Sequence, residues 1–287
     1  MRHHLVALTF LVFGAVEASA ETLEPIGVFE WETDSIIGLS GLEVSDDGNS
    51  FVAVGDQGWW LEGRFARSGE VITGIAEFDI QPIIGQDGFP VSARRIKDWS
   101  DAEGLALAPD GTAWVSFERW AHVWRFEQVH GTAQWIKDHP TFFDHAENWE
   151  LEATAVAPDG TLYVFSEKPL PEGFPVYRLG PDNLFTIERY LPEDDVFGIV
   201  GADFAPDGAL YLLERKLIMG IWWQNRIRRI RIDGTEDTIL WTGARGAYGN
   251  LEGIALWEDA KGLRMTLVSD NNGNGDPTQF VEFRLAE

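Results

Sequence analysis

Residues 150–168 read ELEATAVAPDGTLYVFSEK, a short apolar run, a Pro-Asp-Gly turn, a second apolar run, and then an acid and a cation. Proline presets φ at one turn position and glycine accepts a positive φ at another. Both runs are too short for an ordinary helix and consist of residue types that suit strands. The stretch is therefore a β-hairpin. Its pattern recurs at 38–57 (GLSGLEVSDDGNSFVAVGDQ), 101–119 (DAEGLALAPDGTAWVSFER), 198–216 (GIVGADFAPDGALYLLERK) and 250–271 (NLEGIALWEDAKGLRMTLVSDN).

A third strand follows each hairpin, at Trp59–Phe65, His122–Phe126, Val176–Leu179, Arg226–Ile232 and Gln279–Leu285. A fourth is expected at Ala76–Ile83, Ala133–Lys137, Leu184–Leu191 and Asp237–Thr242. Four antiparallel strands per repeat of about 40–50 residues is the blade pattern of a β-propeller. The turns lie 48 to 63 residues apart, so the longest gap has no room for another blade. The spacing predicts an all-β, five-bladed propeller over residues 21–287, with six blades as the alternative. The last repeat lacks a fourth strand, and Leu23–Trp31 reads as a strand without a blade, so this N-terminal strand is expected to close the ring. The excess of the longest gap falls in Gly85–Trp99, which is expected to cross one face of the ring.

Residues 1–20 have the form of a secretion signal: a short basic lead, the apolar run Leu5–Val16, and Ala18-Ser19-Ala20 as a cleavage site. The run is short for a membrane span, and nothing later is long and apolar enough for one. A periplasmic or secreted protein is expected, without stable membrane insertion, and monomeric. The chain has no cysteine, so stability must come from burial and backbone pairing. A net charge of -25 disfavours nucleic acid and anionic lipid as partners.

Aligning the repeats on the turn glycine puts Ser40, Glu103, Glu152 and Val200 at one position, and the motif puts Glu252 there in the last repeat. These residues open the innermost strands. Asp56, Glu118, Glu167, Glu214 and Asp270 stand at the ends of the second strands, which antiparallel pairing returns to the same face. Crowded carboxylates repel, and either protein cations or a hard metal must offset this. Arg119, Lys168 and Arg215 each directly follow a second-strand acid. An all-oxygen donor set suits Ca²⁺ and disfavours zinc. For the second column, backbone capping or bridging between blades is an equally good reading.

The segments GLSGLEV, DAEGLALAPDG, LEATAVAPDGTLYVFSEK, DFAPDGALYLLERK and NLEGIAL…LVSDNN resemble the phytase-like domain family, described as having esterase-like activity. That family is likened to six-bladed calcium phytases. Five-bladed calcium-activated apyrases are a more distant likeness; they hold Ca²⁺ on the ring axis through inner-strand Glu and Ser. The likeness implies Ca²⁺ ligation by Ser40, Glu103, Glu152 and Glu252, with Asp56 and Asp270 nearby; Val200 departs from the pattern.

The expected function is a calcium-dependent hydrolase of phosphate esters or related esters, acting at the acidic mouth on a small anionic substrate. Glu118 or Glu167 would be the general base, with Glu214 the third candidate, and Arg119, Lys168, Arg215 and Arg226 would face the substrate. The alternatives are a non-catalytic ligand- or partner-binding propeller with structural calcium, and a gluconolactonase-type lactonase. No G-x-S-x-G elbow is present. Asp270–Asp276 begins like a calcium loop but lacks its closing glutamate. Trp59-Trp60 and Trp222-Trp223 suit packing between blades better than ligand stacking.

Overall fold

The computed structural model describes residues 21–33, 38–93, 99–144, 151–271, 273 and 276–286. The residues of the expected signal lie outside this set. Among the described residues, no helix is long and apolar enough to cross a membrane.

Twenty strands form five four-stranded antiparallel sheets. Blade 1 contains β2 (Leu39–Val44), β3 (Ser50–Gly55), β4 (Trp59–Ser68) and β5 (Val71–Pro82). Blade 2 contains β6 (Ala102–Leu107), β7 (Ala113–Phe117), β8 (His122–Phe126) and β9 (Gln134–Trp135). Blade 3 contains β10 (Leu151–Val156), β11 (Leu162–Ser166), β12 (Phe174–Leu179) and β13 (Phe185–Leu191). Blade 4 contains β14 (Gly198–Phe204), β15 (Leu210–Ile218), β16 (Trp222–Ile230) and β17 (Asp237–Thr242). Blade 5 contains β18 (Asn250–Asp259), β19 (Gly262–Asp270), β20 (Thr278–Ala286) and, as its outer strand, β1 (Thr22–Trp31). The five-bladed ring and its closure by the N-terminal strand are as the spacing predicts.

The Pro-Asp-Gly turns form for the reasons their residues suggest. The amide of Gly111 donates to the carbonyl of Ala108 at 2.9 Å, and Gly111 has φ 90°. Asp110 caps the turn by accepting from the Thr112 amide at 2.9 Å. Asp159 and Asp207 repeat this arrangement.

Five apolar clusters hold the ring, each between neighbouring blades. Burial of these faces is the main stabilising term. The seam between blades 1 and 5 also carries buried charge. Glu282 on β20 accepts from Arg67 on β4 at 2.9 and 2.8 Å, and from Arg264 on β19 at 2.9 Å. Both guanidinium groups also lie over the Trp257 ring, at 5.2 and 4.8 Å.

Strand bounds differ in detail from the expected ones, as at β9 (Gln134–Trp135) and β16 (Trp222–Ile230). The β4–β5 hairpin is longer than expected, turning at Gly69 (φ 63°), and absorbs part of the longest gap. Of the loop expected over one face, Val91 is buried against the turn at Gly58, with its amide donating to Ile83 at 3.0 Å.

Candidate metal centre

Every innermost strand carries a β-bulge at the same place. Pairing slips between Leu39 and Leu42, Ala102 and Leu105, Leu151 and Ala153, Ile199 and Gly201, and Leu251 and Gly253. The residues set in these bulges are Ser40, Glu103, Glu152, Val200 and Glu252. A bulge re-aims a side chain, and here Glu103, Glu152, Val200 and Glu252 line the channel on the ring axis. The glycine after the bulge lets inner strands crowd together: a Cβ at Gly253 would lie 2.3 Å from the Ser40 carbonyl oxygen. The cavity beneath is only about 10 Å³, roughly one water's worth of space.

The second ring follows from pairing. Leu39, Ala102, Leu151, Ile199 and Leu251 lie opposite Gly55, Phe117, Ser166, Glu214 and Ser269. The next residues are Asp56, Glu118, Glu167, Arg215 and Asp270. Blade 4 therefore contributes Arg215 to this ring, and the placement of Glu214 there is corrected. Side chains alternate along a strand, so Glu214 points to the other side of β15. It is fully buried and bonded to Arg226 and, at 3.3 Å, to Arg228. Arg226 also pairs with Asp194 at 2.9 Å. Neither Glu214 nor Arg226 joins the axial acids.

Arg215 supplies the positive charge where blade 4 lacks an acid. It is bonded to Glu252 and, at 2.7 Å, to the Asn250 side chain, and it lies 3.7 Å from Glu152 and 3.9 Å from Glu167. Burial opposes its charge, but Glu252, Glu152 and Glu167 hold its pKa above the ordinary value. Ser40 donates to Glu252 at 2.9 Å and lies 3.2 Å from Asp56. Lys168 pairs with Glu167 at 3.0 Å, and Asp270 lies 3.5 Å from the Asn250 amide.

The side towards blades 1 and 2 is different. One oxygen each of Asp101, Glu103 and Glu118 lie within 4.8 Å of one another, and all three residues are buried. Arg119 binds Asp101 at 2.7 Å. Glu103 has neither a hydrogen-bond donor nor a pairing cation among the described residues. Burial raises its pKa well above the ordinary range, with Glu152, Asp56, Glu252 and Glu118 adding to the shift. Burial, then Glu252, Asp270 and Asp101, pushes Asp56 up to about 8. Burial, then Asp101 and Glu167, pushes Glu118 up to about 7 against the pull of Arg119 and Arg215. Burial likewise raises Glu152, opposed by Arg215. Carboxylates that resist ionisation without a partner fit a hard divalent cation, and every donor here is oxygen.

Asp101 and Asn250 are site residues the sequence reading missed. Each stands opposite a second-ring acid, Glu118 and Asp270 respectively. The calcium-like loop at 270–276 is described only in part. Trp60 packs against Phe126 at 5.1 Å, as expected of an inter-blade aromatic, whereas Trp222 is exposed.

Five four-stranded antiparallel blades, the last completed by the N-terminal strand, make the chain a five-bladed β-propeller. The chain belongs to the phytase-like family, described as "esterase-like activity of phytase", whose profile matches residues 35–273. Membership suggests a hydrolase of phosphate esters. No curated protein matches the sequence. Among solved structures, a luciferin-regenerating enzyme is similar at 12% identity and TM-score 0.50, over 91% of this chain and 95% of that one. A chain of a nidogen/laminin complex is similar at 13% identity and TM-score 0.46, over 80% and 92% respectively. At 12% identity the likeness to the luciferin-regenerating enzyme is one of fold.

Proposed function

We propose that the protein is an exported, calcium-dependent hydrolase of phosphate esters or related esters, working at the acidic mouth. The observation that carries the metal is Glu103, a buried carboxylate with no donor, grouped within 4.8 Å with Asp101 and Glu118. These three residues would hold the cation, with Glu152 on the axis beside them. When bound, it would polarise the ester and favour ionisation of water. Arg215 keeps Glu152 and Glu252 compensated, so the apo ring need not carry all its carboxylates unpaired. Glu167, a second-ring carboxylate that also lines an adjoining cleft, would be the general base. Export rests on the sequence of residues 1–20.

The test is titration calorimetry with calcium, together with hydrolysis of 4-nitrophenyl phosphate and 4-nitrophenyl acetate with and without chelator. Calcium binding and chelator-sensitive turnover of either ester are expected. Binding without turnover leaves a ligand-binding propeller with structural calcium. Absence of calcium binding overturns the metal centre.

A further inference from the structure

Blade 4 is built differently at the mouth. β15 runs three residues beyond Arg215 to Ile218, whereas β3, β7 and β11 stop one residue short of their second-ring acid. At about 3.3 Å per residue, β15 therefore extends about 10 Å past the second ring. The tip of the β15–β16 hairpin is apolar and exposed: Leu217, Met219, Ile221 and Trp222 are 48%, 78%, 67% and 44% accessible. Val196, in the β13–β14 connection, is 67% accessible. Leu217 pairs directly with Trp223 across the hairpin, and the Arg215 guanidinium lies 5.1 Å from the Trp223 ring centre.

Between this hairpin and blade 3 lies a cleft of about 260 Å³, bounded by the apolar Val196, Leu217 and Trp223 and the charged Glu167, Lys168, Arg215 and Lys216. Glu167 and Arg215 are second-ring residues, so the cleft is continuous with the mouth. Val196, Leu217 and Trp223 give it an apolar wall. Its cations are already committed. Lys168 is paired with Glu167, Lys216 with Asp195, and Arg215 with Glu252 and Glu152. Arg119, nearby at the mouth, is paired with Asp101. A polyanionic ligand would need cations free to receive it, and it would approach a chain of net charge -25.

We infer that the cleft receives the apolar alkyl or aryl group of the substrate. The substrate class is then an ester with at most one small anionic head at the acid cluster, not a multiply phosphorylated polyol. The inference rests on the proposed hydrolase function for the identity of the ligand as an ester. Val196, Leu217 and Trp223 are the specificity-determining residues; they touch the group that does not react.

The test is binding of methyl-, butyl- and octylphosphonate to the full protein in the presence of calcium, followed by calorimetry and by tryptophan fluorescence. Each methylene buried in the cleft should tighten binding by up to about four-fold, which corresponds to about 0.8 kcal/mol. Butylphosphonate should therefore bind more than ten-fold tighter than methylphosphonate. In the double variant Val196→Ser/Leu217→Ser, whose altered residues are exposed, the ratio of octyl to methyl affinity should fall by about ten-fold. A polyol hexakisphosphate should not compete. A flat chain-length series, a series unchanged in the double variant, or competition by the hexakisphosphate would overturn the inference. Chain-length dependence without turnover of any ester upholds the cleft and removes the hydrolase function. Turnover with a flat series does the reverse.

Discussion

Replacing Glu103 by glutamine should move stability in opposite directions with and without calcium. Without metal, the Glu103 carboxyl sits among Glu152, Asp56, Glu252 and Glu118, and burial disfavours its charge. Its folded pKa is held well above the ordinary 4.5 of the unfolded chain, so the folded protein binds the proton more tightly and stability falls as pH rises above that value. Each pH unit above 4.5 can cost no more than about 1.4 kcal/mol, which bounds the destabilisation at pH 7 at about 3–4 kcal/mol. Glutamine keeps the shape and removes that cost. For a domain of this size 1 kcal/mol is about 2–4 °C, so the apo melting temperature should rise by up to about 10 °C. With calcium the sign reverses. At about 1 mM calcium and a dissociation constant on the order of 10 µM, binding stabilises the parent by about 2.7 kcal/mol, or about 5–10 °C. Glu103→Gln should lose most of that increment, because an anionic ligand has become neutral. Differential scanning fluorimetry at pH 7, with chelator and with calcium, reads both numbers. A variant that melts lower than the parent in chelator and keeps the full calcium increment would refute the reasoning on both counts.

The apo protein should lose stability as pH rises from about 4 to about 8, because Asp56 (about 8) and Glu118 (about 7) bind protons more tightly when folded than at their ordinary 3.8 and 4.5; denaturant melts across this range should show the fall, and calcium should flatten it. Glu282→Gln should cost about 1–3 kcal/mol, since it removes the carboxylate shared by half-buried Arg67 and buried Arg264 while Arg264 keeps Asp259 and Arg67 keeps the Gly48 and Glu70 carbonyls, and urea titration measures it. Deleting Thr22–Trp31 should expose the edge of β20 and yield aggregated or unfolded protein, although the segment carries no chemistry; a monomeric product with unchanged melting temperature would show that closure does not depend on it.

The fold was readable because turn chemistry and strand alternation are local, and five copies of one signal fix the count. Ring closure followed from an odd strand at one end and a missing strand at the other. The site was readable only as far as spacing was respected. Glu118 and Glu167 each stand seven residues after their turn glycine, and the same count from Gly208 arrives at Arg215. Matching by residue type chose the neighbouring Glu214, and a shift of one residue along a strand moves a side chain to the opposite face. The bulges also leave a trace. Leu39 and Leu42 join one apolar cluster, as do Leu251 and Ile254, although a separation of three would put them on opposite faces of a regular strand. Asp101 left no such trace, because it precedes its strand and reaches Glu118 only through pairing of the flanking backbone. The same geometry explains why blade 4 can lack an inner acid without leaving a hole in the ring's charge. Val200 removes one negative charge from the axis, and Arg215 adds a positive one a single ring further out, within reach of Glu152 and Glu252. The mouth thereby divides into a side where Arg215 compensates Glu152 and Glu252 and a side where Arg119 pairs with Asp101 while Glu103 has no pairing cation among the described residues.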